Sequence, residues 1–473
     1  MRTRSDDGHR GGERTGGAGR SLRTIVVGGG LAGCETAWAL AERGVAVTLH
    51  EMRPATRTAA HQTDFLAELV CSNSFKSVET ANAHGLLKAE MRRLGSLVLA
   101  VADTARVPGG AALAVDRTAF ARGMQERVAA HPLITIIRGE VTELPAAGIV
   151  ATGPLTSDRL AAAIARRLGA QSLAFFDAIA PIVAAESLDH DVLFRASRYG
   201  KGDGDDYLNA PFDEARYDAF VQVLVAADQY EPPAAHDFDR TPYFEGCLPV
   251  EEMARRGRDT LRFGPMKSVG LLDPRTGRQP FAVVQLRRED RAGQMWNLVG
   301  FQTRLRTGAQ RRVFPLIPGL ERAEFLRMGS IHRNSYVNAP ATLSAHLAVK
   351  DNPLLLLAGQ ITGVEGYTES AASGLLAGIN LARLLAGAPA VVPPPTTMLG
   401  ALYHYLVACD PARFQPMNAN FGLLAPLDPP VREKEKRKAQ LAQRAVRDIE
   451  TFAAGLEADA PRSPFRVPTS SPT

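Results

Sequence analysis

Cysteine is scarce in this chain of 473 residues, with only Cys34, Cys71, Cys247 and Cys409. None stands in Cys-x-x-Cys spacing, so no zinc site is predicted and no metal is expected. A chain this long buries about three quarters of its unfolded surface and needs no disulfide staples. Each cysteine is then a small core residue or a reactive thiol. Long hydrophobic runs are also missing. The strongest candidate, residues 354–358, is closed by Pro353 and Gly359. It falls far short of the ~18 residues of a membrane helix and reads as a buried strand. Residues 1–21 are Gly, Arg, Ser and acid with no hydrophobic signal core. They are expected to be disordered, and the expected compartment is the cytoplasm.

What is present is an ordinary globular composition, 45% hydrophobic and 22% charged, which excludes a disordered chain, a collagen and a coiled coil. At roughly 150 residues per domain, two or three domains are expected. The net charge is +5. Between Arg255 and Arg312 there are fourteen Lys or Arg against four Asp or Glu, an excess of ten. That concentration reads either as a solvated surface or as a face for a polyanion such as RNA.

The chemistry begins at Thr24-Ile25-Val26-Val27, a short β-branched strand. Gly28-Gly29-Gly30-Leu31-Ala32-Gly33 follows, then a helical run from Cys34 to Arg43 stopped by Gly44. Val45-Ala46-Val47-Thr48-Leu49 is the next strand, closed by Glu51. In this order Gly28 makes the tight turn, Gly30 lets the backbone approach a pyrophosphate, and Gly33 lets the helix pack closely. The phosphates sit on the helix N-terminus, where free N–H groups and the dipole attract anions. Glu51 is placed to accept hydrogen bonds from a ribose diol. A dinucleotide site is predicted over Gly28, Gly29, Gly30, Leu31, Ala32, Gly33 and Glu51.

Two further strands bear on which dinucleotide. Ile149-Val150-Ala151-Thr152-Gly153 ends in Ala-Thr-Gly, and residues 353–358 run into Gly359 and a helix over 369–385 rich in small residues, among them Gly374. This resembles the way FAD enzymes of the glutathione-reductase type close their site, which adds Gly359 and Gly374 to the cofactor set. The fold class expected is α/β, an FAD-binding Rossmann domain split in sequence and carrying an inserted α+β domain. Expected boundaries are 22–153 for the first part, 154–323 for the basic insertion and 324–452 for the second part. A charged helix over 431–452 should cover the surface, and residues 453–473 should be a disordered tail.

Longer blocks then match a known family. They include Glu68-Leu69-Val70-Cys71-Ser72-Asn73-Ser74, Gly85-Leu86-Leu87-Lys88 and Phe244-Glu245-Gly246-Cys247-Leu248-Pro249. Others are Phe263-Gly264-Pro265-Met266-Lys267, Val299-Gly300-Phe301-Gln302-Thr303 and residues 358–367 from Ala358 to Tyr367. Over about residues 23–450 the chain resembles the bacterial folate- and FAD-dependent tRNA (uracil-5-)-methyltransferases. It departs from them at Ser268, where proline is expected, at Thr307-Gly308-Ala309-Gln310, and in the N-terminal extension.

The resemblance implies methylenetetrahydrofolate as carbon donor, FAD as methylene carrier and hydride source, and NAD(P)H as reductant. It implies a T-loop uridine of tRNA as substrate, tetrahydrofolate as product, and no obligate protein partner. Carbon 5 of uracil is a poor nucleophile until a thiolate adds at carbon 6, and a base must then remove the carbon 5 proton. On this resemblance Cys247 is the nucleophile and Cys71 the base or its partner, an order that the residues alone leave open. Tyr367 reads either as a stacking surface for a pterin or a flipped base, or as a core tyrosine. His61, His84 and His332 stay outside the catalytic set. The same chemistry on ribosomal RNA, a flavin oxidoreductase acting on a small molecule, and a non-enzymatic RNA-binding flavoprotein are the alternatives.

Overall fold

The computed structural model describes residues 22–58, 60–169, 172–230 and 248–459. Two lobes account for them. The first is built on a six-stranded sheet in the order Ala348–Val349, Asn352–Leu357, Gly148–Val150, Arg23–Val27, Ala46–Glu51 and Ile134–Arg138. All pairings are parallel except that of the edge strand Ala348–Val349. Parallel strands are covered on both faces, which is why they read as unbroken apolar runs such as Leu354-Leu355-Leu356-Leu357. The glycine-loop helix Leu31–Ala41 and the inner helix Tyr367–Leu385 lie against each other in this core. The glycine-loop helix starts three residues earlier than the sequence suggests, directly at Gly30 as its N-cap.

The second lobe is an antiparallel sheet in the order Phe194–Arg195, Tyr207–Phe212, Ala282–Arg288, Met295–Leu298, Ile182–Ala184 and Phe325–Arg327. It has its own core around Trp296, Phe212, Phe220, Phe301 and Phe314. A two-stranded ribbon, Ser172–Ile179 against Ser330–Val337, links the lobes, pairing Ser172 with Val337 and Ile179 with Ser330.

This ribbon moves the expected boundaries. The helix Asp158–Leu168 belongs to the first lobe, because Leu160, Ala163 and Ile164 form its apolar stripe and enter the first core. The strand Phe325–Arg327 belongs to the second sheet. The insertion therefore runs between the two ribbon strands rather than over 154–323.

The C-terminal helix also differs from expectation. It spans Lys434–Asp459, and Leu441, Ala445, Ile449 and Ala453 are buried in the first core. Their spacing of four keeps one apolar face against the helix Ala83–Arg93, so helix continues through residues 453–459, which were expected to be tail. Residues 1–21 and 460–473 lie outside the described residues. No described helix is long and apolar enough to cross a membrane.

Candidate functional site

The carboxyl ends of the parallel strands open onto a cleft. Its wall contains residues 28–32, Glu51, Arg53, Thr152, Gly153, Gly359, Tyr367 and Ser370. Ligands of open α/β sheets bind at this place. Gly28 has φ +107, which only glycine adopts without strain, and its amide donates to His50 O at 2.8 Å. At Gly30 a Cβ would meet nothing within 4 Å, so the backbone faces open cleft. No side chain caps the helix that starts there, and its first turn holds no acid. Its leading N–H groups are left to an anion. Gly33 has no such view: a Cβ there would overlap the Gly28 carbonyl oxygen, so it serves the close packing of helix on turn.

Glu51 is 5% exposed and tied down. Oε2 accepts from the Gly29 amide at 3.0 Å, and Oε1 accepts from the Arg53 amide at 2.9 Å and Arg53 Nε at 2.8 Å. Burial pushes its carboxyl up, but the hydrogen bonds and charge of Arg53 outweigh burial and hold it below the ordinary carboxylate value. Oε1 is filled by its two donors, and Oε2 keeps lone-pair capacity for a further one. Arg53 also pairs with Glu68 at 2.9 Å. Sequence reading missed Arg53, whose only signal is its place two residues after the acid.

Gly359, at φ +82, lines the cleft. Gly374 does not. A Cβ on it would overlap the backbone of Ala32, and its carbonyl accepts from Thr36 Oγ1 at 2.9 Å. It is the crossing point of the two inner helices, and Gly378 repeats the contact against Thr36 and Ala39 one turn on. The small residues of the inner helix thus serve helix packing.

The Cys71 loop borders the same cleft through Val70 and Tyr367. Tyr367 Oη accepts from the amides of Cys71 at 2.7 Å and Ser72 at 3.1 Å. Arg117, at the start of the helix Arg117–Ala130, donates to Leu69 O at 2.6 Å and Cys71 O at 3.1 Å. Arg327 of the second lobe donates to Val70 O at 2.9 Å. Three consecutive carbonyls are thus gripped by two guanidinium groups. Asn73 is buried between the lobes, donating to Val115 O and Arg288 O and accepting from Arg287 Nε at 2.9 Å. None of these side chains was singled out from the sequence except Tyr367. Cys71 itself is partly exposed. Cys247 lies outside the described residues. Chain just beyond it is anchored where the Val250 amide donates to Gln302 O at 2.8 Å.

The family model of glucose inhibited division protein A matches residues 23–389. A methylenetetrahydrofolate–tRNA-(uracil-5-)-methyltransferase TrmFO of Geotalea daltonii is 58% identical over 426 residues, 90% of this chain and 96% of that protein. The TrmFO of Geobacter sulfurreducens is 57% identical over 91% of this chain and 98% of its own length. The chain belongs to the TrmFO family. Among solved structures, Aquifex aeolicus GidA superposes with a TM-score of 0.65 at 16% identity, covering 93% of this chain and 76% of that one. That likeness fixes the FAD-binding Rossmann-type fold.

In this TrmFO-family chain two further cysteines fall among the described residues. Cys34 is fully buried, its Sγ 3.4 Å from Gly29 O, and burial followed by the charge of Glu51 pushes its thiol far above the ordinary value. Cys409 is partly exposed at the end of the helix Met398–Ala408. His61 borders the cleft and bonds Thr58 Oγ1 at 2.9 Å, while His84 pairs with the buried Glu369 at 3.0 Å. The side chain of His332 is outside the described set.

The basic excess over 255–312 takes a different form in three dimensions. Arg258 pairs with Glu214 and Asp218, Arg312 with Asp228, and Arg255 and Arg304 both with Glu252. Those acids precede the basic stretch in sequence, on the helices Glu214–Ala226 and Val250–Arg255 and just after the first. Arg262 and Arg275 pair with Asp259 and Asp273 inside it. Arg287 turns inward to Asn73. Four acids from outside the stretch, Glu214, Asp218, Asp228 and Glu252, therefore offset part of the excess on the lobe's own surface.

Proposed function

We propose that this protein methylates carbon 5 of a uridine in the T-loop of tRNA, with methylenetetrahydrofolate as carbon donor and NAD(P)H as reductant. The observation that carries the reading is the Cys71 loop, held by Tyr367 at the edge of a cleft built for a dinucleotide. The residues fit FAD: open backbone at Gly30, an uncapped helix start and an anchored Glu51. FAD bound there supplies one-carbon transfer and the hydride that completes the methyl group. Helix amides from residue 31 onward would hold the pyrophosphate, and Glu51 would serve the ribose.

The chain's own chemistry lies with its thiols. Cys247 adds to uracil carbon 6, which raises electron density at carbon 5. Cys71 takes the carbon 5 proton once the new bond has formed, and Cys247 then leaves. Tyr367 and Arg117 fix the backbone that carries Cys71. A tRNA substrate implies action in the cytoplasm.

The deciding assay combines the purified protein, unmodified tRNA, bulk ribosomal RNA, labelled methylenetetrahydrofolate and NAD(P)H. Nucleoside analysis should show label in 5-methyluridine from tRNA. Label in ribosomal RNA alone would replace the substrate, and no label in either would end the reading.

A further inference from the structure

The most exposed large apolar side chains among the described residues gather on the second lobe. Phe263 is 80% exposed, Tyr199 68% and Leu272 64%, and Val269 is exposed between the first and last of these in sequence. Scattered apolar residues are ordinary on a surface, whereas a cluster of this kind marks a contact. Neither ring is loose. Phe263 ends the short helix Thr260–Phe263, and the turn after it is pinned. The Met266 amide donates to Leu261 O at 2.8 Å, the Val283 amide donates to Met266 O at 3.0 Å, and Pro265 lies so close to Gly300 that a Cβ there would overlap it. Tyr199 has φ +56, a costly conformation for a tyrosine. Its amide donates to Gly270 O at 3.0 Å, and its ring lies on Gly270, where a Cβ would clash with it.

The same surface carries cations that no carboxylate answers. Residues 263–272 contain no acid. Lys267 is exposed and has no carboxylate partner among the described residues. Arg198, beside Tyr199, donates to two neutral oxygens, Gln285 Oε1 and Val269 O, both at 3.0 Å. Asp259 and Asp273, the acids flanking the segment, are paired with Arg262 and Arg275. Lys201 is paired with Glu79, and Asp203 and Asp205 stand exposed on the turn beyond it, so an anion is best met at Lys267.

Position ties this surface to the reaction. Val283, Gln285 and Arg287 share one face of the strand Ala282–Arg288. Arg287 holds Asn73, two residues from Cys71, and Gln285 holds Arg198. At about 3.4 Å per residue these two contacts are roughly 7 Å apart along the strand. On the other side, Gly300 beneath Pro265 is two residues from Gln302, where the chain just beyond Cys247 is anchored.

We propose that Phe263, Tyr199 and Lys267 form a docking surface for tRNA, the rings stacking on unpaired bases and the lysine meeting a phosphate. The assignment rests on the substrate proposed above and names where that substrate lands. Exposed rings beside an unanswered cation suit a nucleic acid, whose bases offer flat apolar faces and whose backbone repeats an anion.

The test is binding of fluorescently labelled, unmodified tRNA to the FAD-loaded protein, read by anisotropy over a salt series. Phe263→Ala should weaken binding by at least about fivefold, as should Tyr199→Asn, in which asparagine tolerates the positive φ. Phe263→Tyr should bind as the wild type does and Phe263→Leu as Phe263→Ala does, because only a ring stacks. Lys267→Gln should lower the slope of log affinity against log salt by about 0.7 to 0.9. Flavin content should stay unchanged throughout; if Tyr199→Asn loses flavin, the Phe263 variants decide. Wild-type affinity in Phe263→Ala would overturn the proposal. A loss of self-association by sedimentation, with tRNA binding intact, would also overturn it and make the surface a contact between copies of this chain. If the wild type binds and methylates ribosomal RNA in place of tRNA, and Phe263→Ala weakens that binding, the docking surface stands and the tRNA reading falls. A wild type that binds neither RNA rejects both.

Discussion

The two lobes meet at one site but contribute to it by different means. The first lobe offers backbone: an open approach at Gly30, an uncapped helix start, and one carboxylate held by its own neighbours. Its buried acids are spent on structure. Glu35 accepts from the amides of Leu97 and Val98, and Glu90 from those of Met398 and Leu399, closing two helix starts. The second lobe offers charge, and it sorts that charge by side. Arg258 and Arg312 on its outer face are matched by Glu214, Asp218 and Asp228, on or just after an adjacent helix, whereas Arg327 at the junction has no carboxylate partner among the described residues. A cofactor of fixed shape suits a rigid backbone cradle. A reaction that makes and discharges an anion suits a cation left uncompensated.

The sharpest way to break this contrast is Gly30→Val. Gly30 has φ −78, which valine adopts freely, so the fold should survive while the side chain fills the pyrophosphate space. Flavin content should drop to less than about a tenth of the wild type. Full flavin absorbance in a folded Gly30→Val protein would refute a backbone cradle.

Next in size are the thiols. With tRNA carrying 5-fluorouridine the carbon 5 substituent cannot leave as a proton, so a covalent protein–RNA adduct should persist on a denaturing gel. Cys247→Ala should lose both adduct and methylation. Cys71→Ala should lose methylation while still forming the adduct, and flavin should remain in both. An adduct that survives in Cys247→Ala and vanishes in Cys71→Ala would exchange the two roles.

A smaller effect separates the structural acids of the first lobe from the reactive charge of the second. Burial pushes the Glu90 carboxyl up to about 8 from 4.5, although the amides of Leu399 and Met398 pull the other way. The folded chain then holds that proton after the unfolded chain has released it. Stability should therefore fall as pH rises from about 4.5 to about 8, and Glu90→Gln should flatten that slope. Thermal melts across this range measure it; equal slopes in both proteins would count against a protonated Glu90.

The smallest effect expected is at Arg258. Its charge is already matched by Glu214 and Asp218. Arg258→Gln should leave the salt dependence of tRNA binding within about half a unit of slope, whereas a lost phosphate contact would lower it by about 0.9. A drop of that larger size would put the outer face back into RNA recognition.

The glycine turn, both strands around it and the late Ala-Gly strand were legible because each is local. A positive φ, an uncapped helix start and an apolar parallel strand leave their marks within a few adjacent residues. The blocks around Cys71 and Cys247 identified the family for the same reason. Distance defeated the rest. Arg258 and its acids are about forty residues apart, so a count within one stretch saw only the positive half. Gly374 has the small size of a cofactor contact, and only the helix crossing aims it at Ala32. The boundary at 154 failed because a strand end looks the same whether the next helix packs back onto it or leaves.

By itself the sequence determined a dinucleotide turn, the two cysteine blocks and a family. Tertiary structure alone decided which groups share a site. It brought Arg117, Arg327 and Tyr367 from three distant stretches onto three consecutive peptide groups, and it gave one guanidinium a carboxylate partner and the other none among the described residues. The physical reason is that backbone conformation is set by neighbours in the chain, whereas the charge a group feels is set by neighbours in space.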